Sequence, residues 1–341
     1  MDRVSEFLNR VLGHYEAYPL FIKIAVGMIL FSITMVILVN LGIILRRTFS
    51  AINELRLTKA KNRLTDELSV SLVGIDMSHD KDVNRLSNRL SNVYLRDQQL
   101  SQLIMDQLIF FRRNFSDTVG QAVYLIFNKL ELVQRSLKKL KMPSWDKKAE
   151  ALREIQEMPP EEVGFEILEP YIINKNDDLR IEAQAAYIRL NKPAPFAFLH
   201  DATEPMPEWH QIILFETALN TEDLVVPQFK EFFGNPEPTV LVFCIKMIEQ
   251  HHQLDAIPAL IRLLDNASVK VKLQVIHALG KLDAEEAEEK FKDIFNEQEL
   301  QVRVKIIEVI GKIASGEQLD FLKDQFLISQ EFEIISASSC A

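Results

Sequence analysis

The strongest constraint in this sequence is a self-similarity of period 31. DNASVKVKLQVIHALGKL at 265–282 aligns with NEQELQVRVKIIEVIGKI at 296–313. The alignment puts Val271 on Val302, Lys272 on Arg303, Leu273 on Val304, Val275 on Ile306, Gly280 on Gly311 and Lys281 on Lys312. Within each copy apolar residues recur at three-to-four spacing, which places them on one face of an α-helix. A unit this short cannot bury such a stripe alone, so copies must stack into a continuous core.

Fainter copies extend upstream. NPEPTVLVFCIKMI (235–248) keeps the apolar frame but sets Val242 at the basic position, and NKNDDLRIEAQAAYIRL (174–190) restores a base at Arg180. The divergent EPMPEWHQIILFETAL (204–219) fills the interval between them. SWDKKAEALREIQEM (144–158) reads as an earlier copy, and another starts near Glu331. Between the copies, EEVGFEILEPYII, VVPQFKEFF, AIPALIRLL, AEEKFKDIF and LDFLKDQFL read as second helices. Each unit is expected to be a pair of short antiparallel helices, with Asp265 and Asn296 capping the helices that follow them.

These residues resemble the HEAT-repeat family, whose signature runs Asp, then Val-Arg, then Ala, then Leu-Gly. The resemblance covers about 144–341 and is carried most strongly by 265–313. The period of 30–31 is closer to the compact bacterial variety than to the usual HEAT length. The resemblance implies an all-α, α-α solenoid. It also implies that Arg180, Lys272 and Arg303 form a ladder of basic residues, often paired with acidic side chains between repeats, interrupted at Val242. Together with the apolar segment described next, the chain is similar to membrane-anchored bacterial HEAT-repeat proteins, a likeness that supplies no reaction.

From Ile24 to Leu45 the chain reads IAVGMILFSITMVILVNLGIIL, 22 residues without a charge. At about 1.5 Å per residue this spans a hydrocarbon core of about 30 Å. The run is long for a signal-peptide core, and Arg46–Arg47 stand where a small-residue cleavage site would be. Arg3, Arg10 and Lys23 precede it, while Arg46, Arg47, Arg56, Lys59, Lys61 and Arg63 follow it. The positive-inside rule therefore puts the N-terminus outside and the rest in the cytoplasm, as a single-pass inner-membrane protein. Asn40 is the only amide in the span and is available to a partner helix.

The expected organisation is an extracytoplasmic segment (1–20), a transmembrane helix with its flanks (21–47), a helical juxtamembrane region (48–141) and a HEAT-like domain (142–341). The N-terminal segment has the pattern of a short amphipathic helix on the outer interface. Residues 1–141 hold 20 Lys/Arg against 13 Asp/Glu, whereas 142–341 hold 19 against 36. An acidic body of this kind excludes the positive footprint that nucleic acid needs.

Motifs for chemistry are missing from the sequence: there is no HExxH, Gly-rich phosphate loop or GxSxG. No catalytic residue, cofactor or metal is expected. His79, within DMSHDKD (76–82), has no second His or Cys nearby and reads as part of a solvated turn. The acidic run Asp283, Glu285, Glu286, Glu288, Glu289 and Asp293 lacks the spacing of a calcium loop and reads as a solvated face. Lys138, Lys139 and Lys141 read the same way. Phe110, Phe111 and Phe115 form a core or anchor patch, His251–His252 close a helix, and Cys244 is a buried thiol. Trp145 and Trp209 each begin a repeat helix; they pack against the previous unit or, where exposed, mark an interface. The leading expectation is a membrane-anchored scaffold that binds an unidentified protein partner, with lipid contacted through 24–45. A regulatory or lyase-like enzyme subunit and a self-associating structural module are the alternatives.

Overall fold

A computed structural model describes residues 19–73, 80–115, 117–160 and 163–340. The expected amphipathic helix before residue 19 and His79 lie outside the described residues. Every regular element among those described is helical, and the chain forms two compact units, 1–126 and 127–341.

The first unit is organised by one long helix, α1 (Leu20–Val73), followed by α2 (Asp80–Tyr94), α3 (Gln98–Asn114) and the start of α4 (Asp117–Lys129). The two ends of α1 face different surroundings. Between 24 and 45 none of its side chains is buried by protein. Its polar groups turn back on the helix: Ser32, Thr34 and Asn40 each donate to the carbonyl four residues earlier at 2.8 Å. The Asn40 amide N–H is therefore used locally. Towards the other end, Leu64, Leu68 and Leu72, four residues apart, are buried, as are Val83, Leu86 and Leu90 of α2 and Ile104, Leu108 and Phe111 of α3. Each such side chain contributes roughly 1.5–3 kcal/mol on burial. Of the three phenylalanines in α3 and its end, only Phe111 is core; Phe110 and Phe115 flank it, half-exposed, in ring contact.

The second unit is a stack of long helices. After α5 (Leu132–Leu140) come α6 (Trp145–Glu157), the short α7 (Glu169–Ile172), α8 (Asp177–Leu190) and α9 (Glu208–Leu219). Next are α10 (Pro238–Gln250), α11 (Ile257–Leu263), α12 (Val269–Lys281) and α13 (Glu288–Ile294). The stack ends with α14 (Leu300–Ile313), α15 (Leu319–Ile328) and α16 (Phe332–Cys340). The long helices α6, α8, α9, α10, α12, α14 and α16 start 30 to 32 residues apart, the period read from the sequence.

The turn chemistry repeats as well. His252, Asp283 and Ala314 follow α10, α12 and α14 with φ of 48°, 50° and 52°. In the first two, the next N–H reaches back to Ile248 O at 3.1 Å and Leu279 O at 3.0 Å, a Schellman closure.

Two expectations are corrected here. Between α8 and α9, and between α9 and α10, the second helix is only a 3-10 turn, Ala197–His200 and Phe229–Gly234 respectively. Pro193, Pro195, Pro205 and Pro207 leave no room for a longer helix between α8 and α9, and Pro227 and Pro236 bracket the Phe229–Gly234 turn. Aromatic rings fill the missing volume: Phe196 lies 5.1 Å from Phe229 and 6.0 Å from Phe243. Asp265 and Asn296 are not caps either. The capping positions of α12 and α14 are Ser268 and Glu299, and Asp265 pairs with Lys290 at 2.5 Å instead.

Two charged side chains are also less solvated than their runs suggest. Lys139 is folded against Glu150 and Glu154 at 2.9 and 2.5 Å, because α5 and α6 pack face to face, while Lys138 and Lys141 stay exposed. Glu288 is buried and accepts from Ser315 Oγ at 2.5 Å, since it begins α13 beneath the turn after α14.

Candidate functional site

Successive long helices pack closely along the second unit, with one exception: α9 and α10 stand apart. The space between them is a groove of about 260 Å³ lined by Gln211, Ile212 and Phe215 on one side and by Phe243, Lys246 and Glu249 on the other. A polar strut crosses it. Lys246 Nζ donates to Gln211 Oε1 at 3.0 Å, while Gln211 Nε2 donates to Met206 O at 2.9 Å and Thr239 O at 3.3 Å.

On its other side α9 borders a second groove, of about 330 Å³, shared with α6 and α8. Trp145 and Trp209 both line it, over a floor that includes Ala149, Ile181 and Ile213. The two indoles are 51% and 46% exposed, so neither is consumed by packing against the preceding unit. Trp209, Ile212 and Leu219 are all exposed, and their spacing puts them on one stripe of α9. Helix α9 is thus an apolar ridge between two grooves.

The rim is acidic. Asp146, Glu150, Asp178 and Glu182 border the tryptophan groove against a single lining base, Arg153. Arg153 is held by Glu182. Glu150 is partnered by Lys139 and Lys147, whose hydrogen bonds keep its carboxyl below the usual range despite partial burial. Asp178 and Glu216 are exposed and, among the described residues, pair with no cation.

The basic residues singled out from the sequence lie elsewhere. Arg180 is buried and donates to Asn174 O at 2.6 Å, Asp177 Oδ1 at 2.7 Å and Pro205 O at 3.2 Å. Lys272 Nζ donates to Gln298 Oε1 at 2.8 Å, and Arg303 pairs with Glu331 at 2.7 Å. Each therefore reaches the segment just before the next long helix. Gln211, at the corresponding position of the divergent unit, reaches Thr239 O in the first turn of α10 itself. Val242 is buried, as is Leu241 beside it.

His210 was not singled out by any motif. It is buried, takes Gln184 Oε1 at 2.8 Å through Nε2, and has no partner for Nδ1 among the described residues. Burial, helped by nearby Arg180, lowers its pKa to about 3. His251 stacks on Phe229 and is also lowered by burial, so the ring is not held as a cation at the end of α10. Cys244 is buried, which pushes its thiol pKa up and removes it as a nucleophile. Among the described residues, no group of three or more His, Cys, Asp or Glu side chains is placed to hold a metal.

Comparison with known proteins bears on the repeats. A family model described as HEAT repeats matches residues 226–311. That segment is HEAT-repeat-like. It runs from just before the Phe229–Gly234 turn to the last turn of α14 and leaves the tryptophan groove outside it. No curated protein matches the chain. Among solved structures, the crystal structure of an engineered protein aligns at 14% identity over 80% of this chain and 76% of that one. Its TM-score of 0.26 is too low to carry an argument.

Proposed function

We propose that this protein is a membrane-anchored scaffold that binds a protein partner through the long-helix face of its second unit. In this reading 1–20 is extracytoplasmic, 21–47 crosses the inner membrane, 48–141 is a helical juxtamembrane linker and 142–341 is the cytoplasmic binding domain. One observation carries it: both tryptophans of the chain sit half-exposed in one groove. Large aromatics with free faces, beside an apolar ridge and inside a polar rim, are what an interface hot spot requires. Anchoring adds affinity by raising local concentration. The apolar span and the cluster of bases after Leu45 support the orientation.

The test is affinity capture from membranes with the full-length protein and with a Trp145→Ala/Trp209→Ala variant. Loss of a specific partner while helical content is unchanged supports the reading; identical capture by both overturns it. For the orientation, an impermeant maleimide should label the exposed Cys340 only after the inner membrane is opened.

A second reading, self-association through the helical 48–141 segment, is favoured by Phe49, Ile52 and Leu55, which are exposed just beyond the span. An Ile52→Cys variant that gives no disulfide dimer in membranes would exclude it.

A further inference from the structure

The face that carries the apolar ridge also carries an excess of carboxylates, and the combination restricts what can dock there. Asp146, Glu150, Asp178 and Glu182 line one groove, Glu249 lines the other, and Glu216 stands on the α9 stripe between them. The bases among the lining residues are Arg153 and Lys246, and both are engaged, with Glu182 and Gln211 respectively. Asp178 and Glu216 are left to solvent. Residues 142–341 as a whole hold 36 acidic side chains against 19 Lys/Arg, so long-range attraction has the same sign as the local rim.

We infer that the segment taken by this face is a basic amphipathic helix, with Lys or Arg along one side and large apolar side chains along the other. This rests on the scaffold reading above. The apolar side would lie over Trp209, Ile212 and Phe215, and its cations would meet Asp178 and Glu216, with an indole face available for cation–π contact. A helix is favoured over an extended peptide because the docking face consists of helices, whose backbone groups are bonded internally and offer no sheet edge. Phosphate-bearing ligands meet like charge here, which excludes nucleic acid and anionic lipid from the same surface.

Because Trp145 and Trp209 are the only tryptophans, emission from the full-length protein in phosphatidylcholine nanodiscs reports this face directly. The probes are a Trp-free helical peptide with one Leu face and one Lys face, the same peptide with Glu for Lys, and phosphatidylglycerol vesicles. The Lys peptide should shift the emission saturably. Its affinity should fall about tenfold or more in an Asp178→Lys/Glu216→Lys variant, and fall again as salt is raised from about 0.05 M to about 0.5 M.

Equal binding of the Glu peptide, or undiminished binding of the Lys peptide to the variant, overturns the inference. A response to the vesicles alone does the same. If the Lys peptide fails but partner capture still depends on Trp145 and Trp209, the basic-helix inference falls and the scaffold reading stands. Capture that ignores both tryptophans removes both.

Discussion

Gly280 approaches Val309 so closely that a Cβ built at Gly280 would lie 2.7 Å from Val309 Cγ1 and 3.0 Å from Cγ2. The missing side chain is what lets α12 and α14 pack at this distance. Val309 is buried and β-branched, so it cannot swing aside. Gly280→Ala is therefore expected to destabilise the protein by about 1 kcal/mol, overpacking of about 1–3 kcal/mol outweighing the roughly 1 kcal/mol gain in helix propensity. Urea unfolding of the full chain, followed by circular dichroism, measures it. The Gly280→Ala/Val309→Ala double variant should lose less than the sum of the single losses; simple additivity would show that the helices separate freely.

Ala314 offers the opposite prediction. It ends α14 at φ 52°, where a Cβ is strained and glycine is not. Ala314→Gly should raise stability by up to about 1 kcal/mol, whereas the same change at a right-handed interior residue such as Ala278 should lower it. Thermal melts of the two variants suffice, and a fall at both positions would contradict the assignment of the turn.

The repeat was legible from the sequence because α12 and α14 must present the same apolar stripe to equivalent neighbours, and the 31-residue spacing of the long helices follows from that. What was hidden has physical reasons. Gln211 fills the ladder's position with an amide, so a search for Arg or Lys at that position passes over it. The segment before α9 is interrupted by four prolines, whereas VVPQFKEFF before α10 has its proline at the same place as the helical AIPALIRLL and still winds as a 3-10 turn, a difference no local pattern marks. The tryptophan groove is half visible in the sequence, where Trp145 and Trp209 each stand at the start of a repeat helix. Their meeting depends on how α6, α8 and α9 pack, and no local pattern encodes that.

The basic residues should differ in weight. Arg180 is buried and ties a carboxylate and two carbonyls from different segments, so Arg180→Ala removes three hydrogen bonds together with the packing of a buried side chain and is expected to cost about 2–3 kcal/mol. Arg180→Lys should recover little of this, since one ammonium cannot span the same fork. Arg303 is more exposed and makes one pair with Glu331, so Arg303→Ala should cost about 1 kcal/mol or less. Denaturation midpoints of the three variants give the order, and equal losses at Arg180 and Arg303 would contradict it.

His210 sets a pH dependence whose sign is fixed by its surroundings. The charged groups near its ring are Arg180, which disfavours a proton, and Asp177, which opposes that more weakly, while Gln184 holds Nε2. Its pKa in the folded protein is about 3, against an ordinary value of 6.5 in the unfolded chain. Between those limits the unfolded state binds the extra proton. The stabilisation is thus fully present above about pH 6.5 and is lost progressively as pH falls towards 3. From pH 7 to pH 5.5 the loss is expected to be about 1 kcal/mol. His251 and His277, both lowered chiefly by burial, act in the same direction. A His210→Gln variant keeps a polar group beside Gln184 but cannot titrate, so its unfolding free energy should change less over this interval than that of the unaltered protein. Parallel pH profiles for the two would show that the ring at 210 takes up its proton as readily folded as unfolded, contrary to its burial beside Arg180.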